Sequence, residues 1–464
     1  MPPSHHRASE RKAARTARSV GLALFASLSA CADAVVPTAP VPDWSELDAL
    51  GIDNVVVFHV DTLRADHLPW YGYERNTMPA LSAQPGWLAL DQHIAASSWT
   101  FPSTSSFLSS QRVAEHGIIQ IPEVGERSIP GTLWQEAFAE AGFRTAFING
   151  NEGLATATDV DRSWDSYRLD VRGRGNALGM VDPALAWIDT SDAPFFLMLQ
   201  PTDPHRPWQV LEEDAGTWVD PASLPFDDEL PQADVDRIIR DVAESGDASA
   251  LDALRAGIVG LYDEELLGLD RGLDAILIGL EARGKLDRTL VVLTADHGET
   301  LLDDGRTVGH NGSLRRELVH IPLVFLHPDL PGALVAGCPT ENIDVMPTLA
   351  GLVGVPPLAG VAGGAFSTFG CRGYGASVLF QEMTDPTLRF FALDRPKVRI
   401  LHNCISGFLE IYDLERDPSA VQTFSLKDVP EARAWLSAAE LEKNEVEALW
   451  PEQGCEVALE TAGR

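Results

Sequence analysis

The chain has 464 residues, 45% of them hydrophobic, and a formal net charge of −33 at pH 7. That length and apolar content allow a large single catalytic domain with an appendage, or two domains. A surface this acidic repels phosphate backbones and anionic headgroups, so no nucleic-acid partner is expected.

The N-terminus reads as an export signal. Arg7, Arg11, Lys12, Arg15 and Arg18 form a basic region, and Val20–Leu28 is an apolar run too short to span a bilayer as a helix. Leu28-Ser29-Ala30-Cys31 comes next, with small residues for a peptidase cleft and a thiol for acylation. This stretch resembles the bacterial lipobox; the competing reading is an ordinary secretory signal with a chance cysteine. Residues 1–30 are thus the expected signal peptide, and Cys31 is the expected lipidation site. The resemblance implies a lipid-anchored protein of the bacterial cell envelope. Ala32 rather than Asp follows the cysteine, which by the same resemblance implies the outer membrane, facing periplasm or exterior. Cys338, Cys371, Cys404 and Cys455 remain, in a compartment that permits disulfides. At least one bridge is expected, and all three pairings of four cysteines stay open. No CxxC pair occurs, which argues against a zinc ribbon.

Residues 31–50 read as a Pro- and Ala-rich tether, 51–365 as a catalytic domain and 366–464 as a C-terminal subdomain. Asn54–Val60 is a continuous apolar run and predicts a buried strand. Thr132–Ala141 is helix-like; Thr145–Ile148 and Pro194–Leu199 predict further strands. Glu212–Ala250 is acidic, weakly patterned and rich in Pro, Asp and Ala, and reads as an insertion over a sheet edge or active-site rim. Leu251–Ala282 carries apolar residues at three- and four-residue spacing and predicts a long helix, with Asp263, Glu264 and Glu265 on its solvated face. Leu290–Thr294 and Ile321–Leu326 predict the fourth and fifth strands. Strands alternating with helices, in continuous apolar runs, predict an α/β fold: a mostly parallel central sheet sandwiched by helices. From about Phe366 the pattern changes. Arg389–Leu393, Val398–His402 and Gly407–Tyr412 predict short strands of a small antiparallel α+β subdomain.

The residues immediately after each strand carry the chemistry. Asn54–Val60 ends at Asp61-Thr62, the third strand at Asp203-Pro204-His205, and the fourth at Asp296-His297-Gly298. Ligands bind beyond the carboxyl ends of strands in an open parallel sheet, so Asp61, Asp203, His205, Asp296 and His297 should share one rim. Carboxylates plus imidazole suit a divalent cation. Taken singly, an Asp at a strand end is more often a cap or turn residue; the recurrence at one topological position is the signal.

The same segments resemble the sulfatase family of the alkaline phosphatase superfamily. Asp61-Thr62-Leu63-Arg64-Ala65-Asp66-His67 with Tyr71-Gly72-Tyr73 is similar to the family's opening motif. Trp99-Thr100-Phe101-Pro102-Ser103, with Glu115-His116-Gly117 after it, resembles its nucleophile segment. Asp203-Pro204-His205-Arg206-Pro207-Trp208, Asp296-His297-Gly298-Glu299, Gly309-His310-Asn311-Gly312 and Ile411-Tyr412-Asp413-Leu414-Glu415-Arg416-Asp417-Pro418 resemble later motifs, in family order. The resemblance implies Thr100 as nucleophile and Asp61, Thr100, Asp296 and His297 as metal ligands. His205 and His310 would face the ester oxygens or protonate the leaving group. Pro102 predicts the start of a helix running to about Ser110, which sets Thr100 just ahead of an anion-favouring helix N-terminus. Zn or Mn is favoured, with Ca possible.

Departures refine this expectation. Threonine is not a substrate for conversion to formylglycine, so no formylglycine is expected. Thr104 replaces the family's Arg, Thr62 stands where calcium-type sulfatases have a second Asp, and Ser109-Ser110 replace Thr-Gly. These changes point towards Thr-nucleophile relatives that act on phosphate, phosphonate or phosphoethanolamine groups. The leading reading is a hydrolase of sulfate, phosphate or phosphonate esters on a small molecule or glycan. One alternative is a phospho-headgroup transferase acting on envelope glycans or lipids; such transferases usually carry membrane helices beside the domain. The other is an inactive binding lipoprotein with the same fold. Trp70, Tyr71 and Tyr73 read as packing residues, and Arg64 with Asp66 as a local ion pair.

Overall fold

The computed structural model describes residues 51–118, 128–157, 159–170, 175–226, 231–310 and 313–366. It also describes short stretches at 38–39, 47, 49–50, 375–377, 390–394, 398–403, 409–414, 416 and 423–424. All belong to one compact unit, Pro37–Arg464. Cys31, Cys371, Cys404, Cys455, Asn311, Gly312, Glu415, Asp417 and Pro418 lie outside the described residues, as do residues 1–30, the expected signal peptide. Cys338 is disulfide-bonded.

In chain order the strands are β1 Thr38–Ala39, β2 Asn54–Val60, β3 Trp87–Ile94, β4 Arg144–Asn149, β5 Ser166–Leu169 and β6 Phe195–Gln200. They continue as β7 Thr289–Ala295, β8 Thr300–Leu301, β9 Val308–Gly309, β10 Leu323–Leu326 and β11 Ala333–Glu341. The main sheet runs β1-β11-β3-β10-β7-β2-β6-β4-β5, and β8 pairs with β9 as a separate ribbon. Its pairs are parallel except that β10 runs antiparallel to both β3 and β7. The fold is therefore the mostly parallel α/β sheet the apolar runs predict, with Leu323–Leu326 as its reversed strand. β2, β6 and β7 are buried along their whole length, which explains why each reads as a continuous apolar run.

The main helices are α1 Thr100–Ser109, α2 Trp134–Glu140, α3 Ala177–Ile188, α4 Gln232–Glu244, α5 Ala248–Ala282 and α6 Val345–Leu352. On one face of the sheet, Val55, Val57, Met198 and Val292 pack with Phe107 and Leu108 of α1 and with Trp134 and Phe138 of α2. Burying each such side chain stabilises the fold by about 1.5–3 kcal/mol. The same contacts fix α1, so its first residue, Thr100, stands at the sheet's edge. A four-stranded antiparallel sheet follows: β12 Gly375–Ser377, β13 Phe390–Asp394, β14 Val398–Asn403 and β15 Leu409–Asp413. This is the antiparallel unit expected beyond Phe366.

Some expectations need correction. Helix α1 begins at Thr100, not at Pro102. Trp99 is its extended N-cap, and Pro102 sits inside the first turn, where no N–H is missed. Asp263, Glu264 and Glu265 are buried rather than solvated. Asp263 receives hydrogen bonds from Tyr73 and Arg75 and pairs with His67. The Oε1 of Glu264 accepts the backbone N–H groups of Trp218 and Val219. The segment after β2 covers Asp263, and the loop after β6 covers Glu264 and Glu265, the latter through the Gln209 N–H, so the three carboxylates meet hydrogen-bond donors instead of water. Within Glu212–Ala250 lies α4, which buries Val235 and Ile239 one turn apart. Trp70 is buried as packing, Tyr71 donates to and accepts from the backbone of Leu323, and Arg64 pairs with Asp66 at 2.8 Å.

Candidate active site

β2 and β7 are parallel neighbours, so their carboxyl ends deliver Asp61 and Asp296 side by side. Asp296 N–H donates to the Val60 carbonyl and Asp61 N–H to that of Pro201, tying the three strand ends together. Thr62, next in the chain, has φ 60°. A β-branched residue rarely enters this left-handed region, which costs on the order of 1–3 kcal/mol. The buried hydroxyl of Tyr262 holds it there, donating to the Thr62 carbonyl at 2.8 Å and accepting the Arg64 N–H at 2.9 Å. In this conformation Thr62 N–H donates to Asp296 Oδ1 at 3.2 Å, and His297 N–H donates to the same oxygen at 2.7 Å.

One oxygen of each carboxylate is thus occupied and the other is not. Asn151 Nδ2 donates to Asp61 Oδ2 at 2.9 Å. Asp61 Oδ1 and Asp296 Oδ2 are buried without a hydrogen-bond partner. His297 donates from Nδ1 to the carbonyl of Gly298 at 2.9 Å, which leaves Nε2 as an acceptor. Nε2 lies 3.3 Å from Thr100 Oγ1, 3.6 Å from Asp296 Oδ2 and 3.7 Å from Asp61 Oδ1. Ligand atoms of Asp61, Asp296 and His297 all fall within 4.8 Å of one another. Burial and the Asp61 charge push the Asp296 carboxyl well above its ordinary range. Burial, together with His310, pushes the His297 imidazole well below its own. Two orphaned carboxylate oxygens and a neutral imidazole lone pair, dry and convergent, fit a divalent cation. Gly298 is required beside them, because a Cβ there would collide with the carbonyl of Glu317.

Thr100 is the first residue of α1; Pro102 has no N–H and the Ser103 N–H donates to the Trp99 carbonyl, so the helix start offers the N–H groups of Thr100 and Phe101. Ser103, one turn on, donates to the Asp296 carbonyl at 2.6 Å and accepts from Asn342 at 3.0 Å, pinning the helix start to the end of β7. A row of imidazoles leads outward. His297 and His310 have ring centroids 4.5 Å apart, and His310 and His205 5.2 Å apart. Burial opposes protonation of His205, but the charges of Asp61 and Glu299 outweigh it and raise its pKa. Glu299 is fully buried and accepts from His310 at 3.3 Å. Arg206 pairs with Asp236 of α4 at 2.6 Å and packs against Gly309.

The structure therefore brings Asp61, Thr100, Asp296 and His297 together and sets His205 and His310 beside them. Asp203 is not in this cluster. Its Oδ2 accepts the Ala177 N–H at the start of α3, and burial raises its pKa to about 7. Asn151 and Glu299 carry no role in the sequence reading. Asn151 lies in the loop after β4, at the same sheet edge as Asp61, and that topological position was the available signal.

Comparison with known proteins gives the family. The Sulfatase family model matches residues 53–355. The chain is 30% identical over 166 residues to an endo-4-O-sulfatase of Bacteroides thetaiotaomicron, covering 35% of this chain and 29% of that protein. It is 24% identical over 321 residues to a low-salt glycan biosynthesis sulfotransferase of Haloferax volcanii, covering 68% of this chain and 64% of that protein. The chain thus spans less than two thirds of either relative. Among solved structures, a protein in complex with its substrate D-glucosamine-2-N,6-O-disulfate superposes with a TM-score of 0.68 at 16% identity, over 86% of this chain and 98% of the other. A phosphonate monoester hydrolase from Silicibacter pomeroyi gives 0.65 at 19% identity, over 88% and 97%. These two likenesses show the fold.

Proposed function

The chain belongs to the sulfatase family, and on that basis we propose that it is a metal-dependent hydrolase of sulfate, phosphate or phosphonate esters acting through Thr100. The observation that carries this reading is the convergence of Asp61 Oδ1, Asp296 Oδ2 and His297 Nε2 beside Thr100 Oγ1. Asp61, Asp296, His297 and Thr100 would hold the ion. A bound divalent cation lowers the pKa of a neighbouring hydroxyl and neutralises charge on a non-bridging ester oxygen.

Thr100 Oγ, as alkoxide, forms a bond to sulfur or phosphorus while the bond to the leaving oxygen breaks. His205, whose pKa the charges of Asp61 and Glu299 raise, gives its proton to that oxygen. The Thr100 and Phe101 N–H groups at the start of α1 would stabilise the anionic centre. Water then attacks the sulfur or phosphorus of the Thr100 ester, passing one proton to the now neutral His205 and releasing the Thr100 alkoxide and the sulfate, phosphate or phosphonate anion. Without a formylglycine hemiacetal this is the available route, and the Thr-nucleophile relatives that the motifs resemble use it on phosphate-type groups. Activity on phosphate-type esters should therefore exceed activity on sulfate esters. A transferase reading shares the first half-reaction and replaces water by an acceptor hydroxyl; the similarity to a sulfotransferase favours keeping it as the second reading. The layout around Cys31 supports a lipid anchor in the cell envelope.

Metal analysis of the purified protein, with a panel of aryl sulfate, phosphate mono- and diester and phosphonate substrates, tests the proposal. About one divalent ion per chain and turnover of a phosphate-type ester are expected. No bound ion and no turnover across the panel would instead favour a binding module.

A further inference from the structure

His205 also lines a separate cavity of about 370 Å³. Four carboxylates line it: Asp203, Glu212, Glu264 and Glu265. Two cationic side chains reach it, and one of these, Arg206, is already paired with Asp236. Glu264 is fully buried, and while its Oε1 accepts two backbone N–H groups, its Oε2 has no hydrogen-bond partner. A buried carboxylate oxygen without a donor is costly, and a cationic donor placed against it removes that cost. A metal ion is the wrong cation here. Among the described residues the only group whose ligand atoms converge within 4.8 Å is Asp61, Asp296 and His297. Carboxylates spread around a cavity suit a polyatomic cation with several N–H donors. Gly268 of α5 leaves that space open, since a Cβ there would come within 3.3 Å of Leu211 and 3.7 Å of Asp203.

We propose that this cavity binds a protonated amine on the leaving group, so that the substrate is zwitterionic: an anionic ester of an ammonium-bearing alcohol. The inference rests on the ester-hydrolase reading of the adjoining site. His205 connects the two halves, lining the cavity on one side and facing His310 on the other. An ester anchored at Thr100 then directs its alcohol portion past His205 towards Glu264. The formal charge of −33 repels polyanionic substrates at long range but not a zwitterion.

The test compares kcat/KM of the full chain for 2-aminoethyl and n-propyl esters of phosphate and of sulfate. The aminoethyl ester should be preferred by about tenfold or more, as expected for a charge-assisted hydrogen bond in a partly dry site. In Glu264→Gln, which keeps an acceptor for Trp218 and Val219, that ratio should fall by about tenfold. Glu212→Gln, at an exposed position, should lower it in the same direction and serves if the Glu264 variant does not fold. Equal rates on the two esters, or an unchanged ratio in the folded Glu264 variant, would overturn the proposal. If neither ester is turned over, the hydrolase reading fails separately. Calorimetric titration with 2-aminoethanol against 1-propanol then decides the cavity: saturable binding of the amine alone, weakened in Glu264→Gln, supports it, and no binding overturns it.

Discussion

Asn151 places its amide nitrogen 2.9 Å from Asp61 Oδ2 and so leaves Oδ1 of that carboxylate as the one facing His297. A second residue thereby chooses which oxygen Asp61 offers to a cation. Partners of this kind typically account for about 10–100-fold in metal affinity. Asn151→Ala should weaken binding of Zn or Mn by that order, read by competition with a chelator, with the fold intact by circular dichroism. Asp296→Ala should abolish it. Full occupancy in the Asp296 variant would remove the assignment.

Tyr262 secures the strained turn at Thr62. Tyr262→Phe leaves the Thr62 carbonyl and the Arg64 N–H without their partner, at about 1–3 kcal/mol for each group left unsatisfied. Chemical denaturation should show a loss of about 2–6 kcal/mol for the two groups together, with weaker metal binding, because Thr62 N–H orients Asp296. A variant with unchanged midpoint would show that the turn holds itself.

The strands that carry the site were legible in the sequence because they are buried on both faces. Asn54–Val60, interrupted only by His59, and Leu290–Thr294 read as mostly apolar runs, and the aspartates that follow them take their place from a parallel sheet. β3 was not legible, since WLALDQHI mixes apolar and polar residues as a strand with partly exposed positions does. Asp263, Glu264 and Glu265 are consecutive and point in different directions around α5, and helical spacing does not report that the segment after β2 and the loop after β6 cover them with hydrogen-bond donors. Asn151 was invisible for a related reason: a loop asparagine has no periodicity, and only its distance to Asp61 marks it.

Four buried histidines outside the metal cluster set an acid limit. His59, His93, His116 and His320 are each pushed by burial from 6.5 to about 3. The unfolded chain binds their protons below about pH 6.5 and the folded chain does not, so stability present above that pH is lost as pH falls towards 3. The slope should be on the order of 1 kcal/mol per pH unit for each histidine. Urea midpoints from pH 7 to pH 4 should fall steadily. Substituting His93, whose Nδ1 lies 2.8 Å from Thr340 Oγ1, with Gln should reduce the slope.

The proposed anchor is open to direct labelling. Incorporation of radiolabelled palmitate in a bacterial host should depend on Cys31, and Cys31→Ala should leave the protein unlabelled and in the soluble fraction. Equal labelling of both would end the lipobox reading.

Thr100 Oγ1, 3.3 Å from His297 Nε2 at the start of α1, is the proposed nucleophile. The decisive measurement combines kinetics with mapping of the trapped intermediate on the best ester of the substrate panel. Thr100→Ala should lose on the order of a thousandfold or more in kcat, while Thr100→Ser keeps part of it. Mass spectrometry of rapidly quenched protein should find the transferred phosphoryl or sulfuryl group on the peptide containing Thr100. Wild-type rates in Thr100→Ala, or a mass shift on any other residue, would contradict the account.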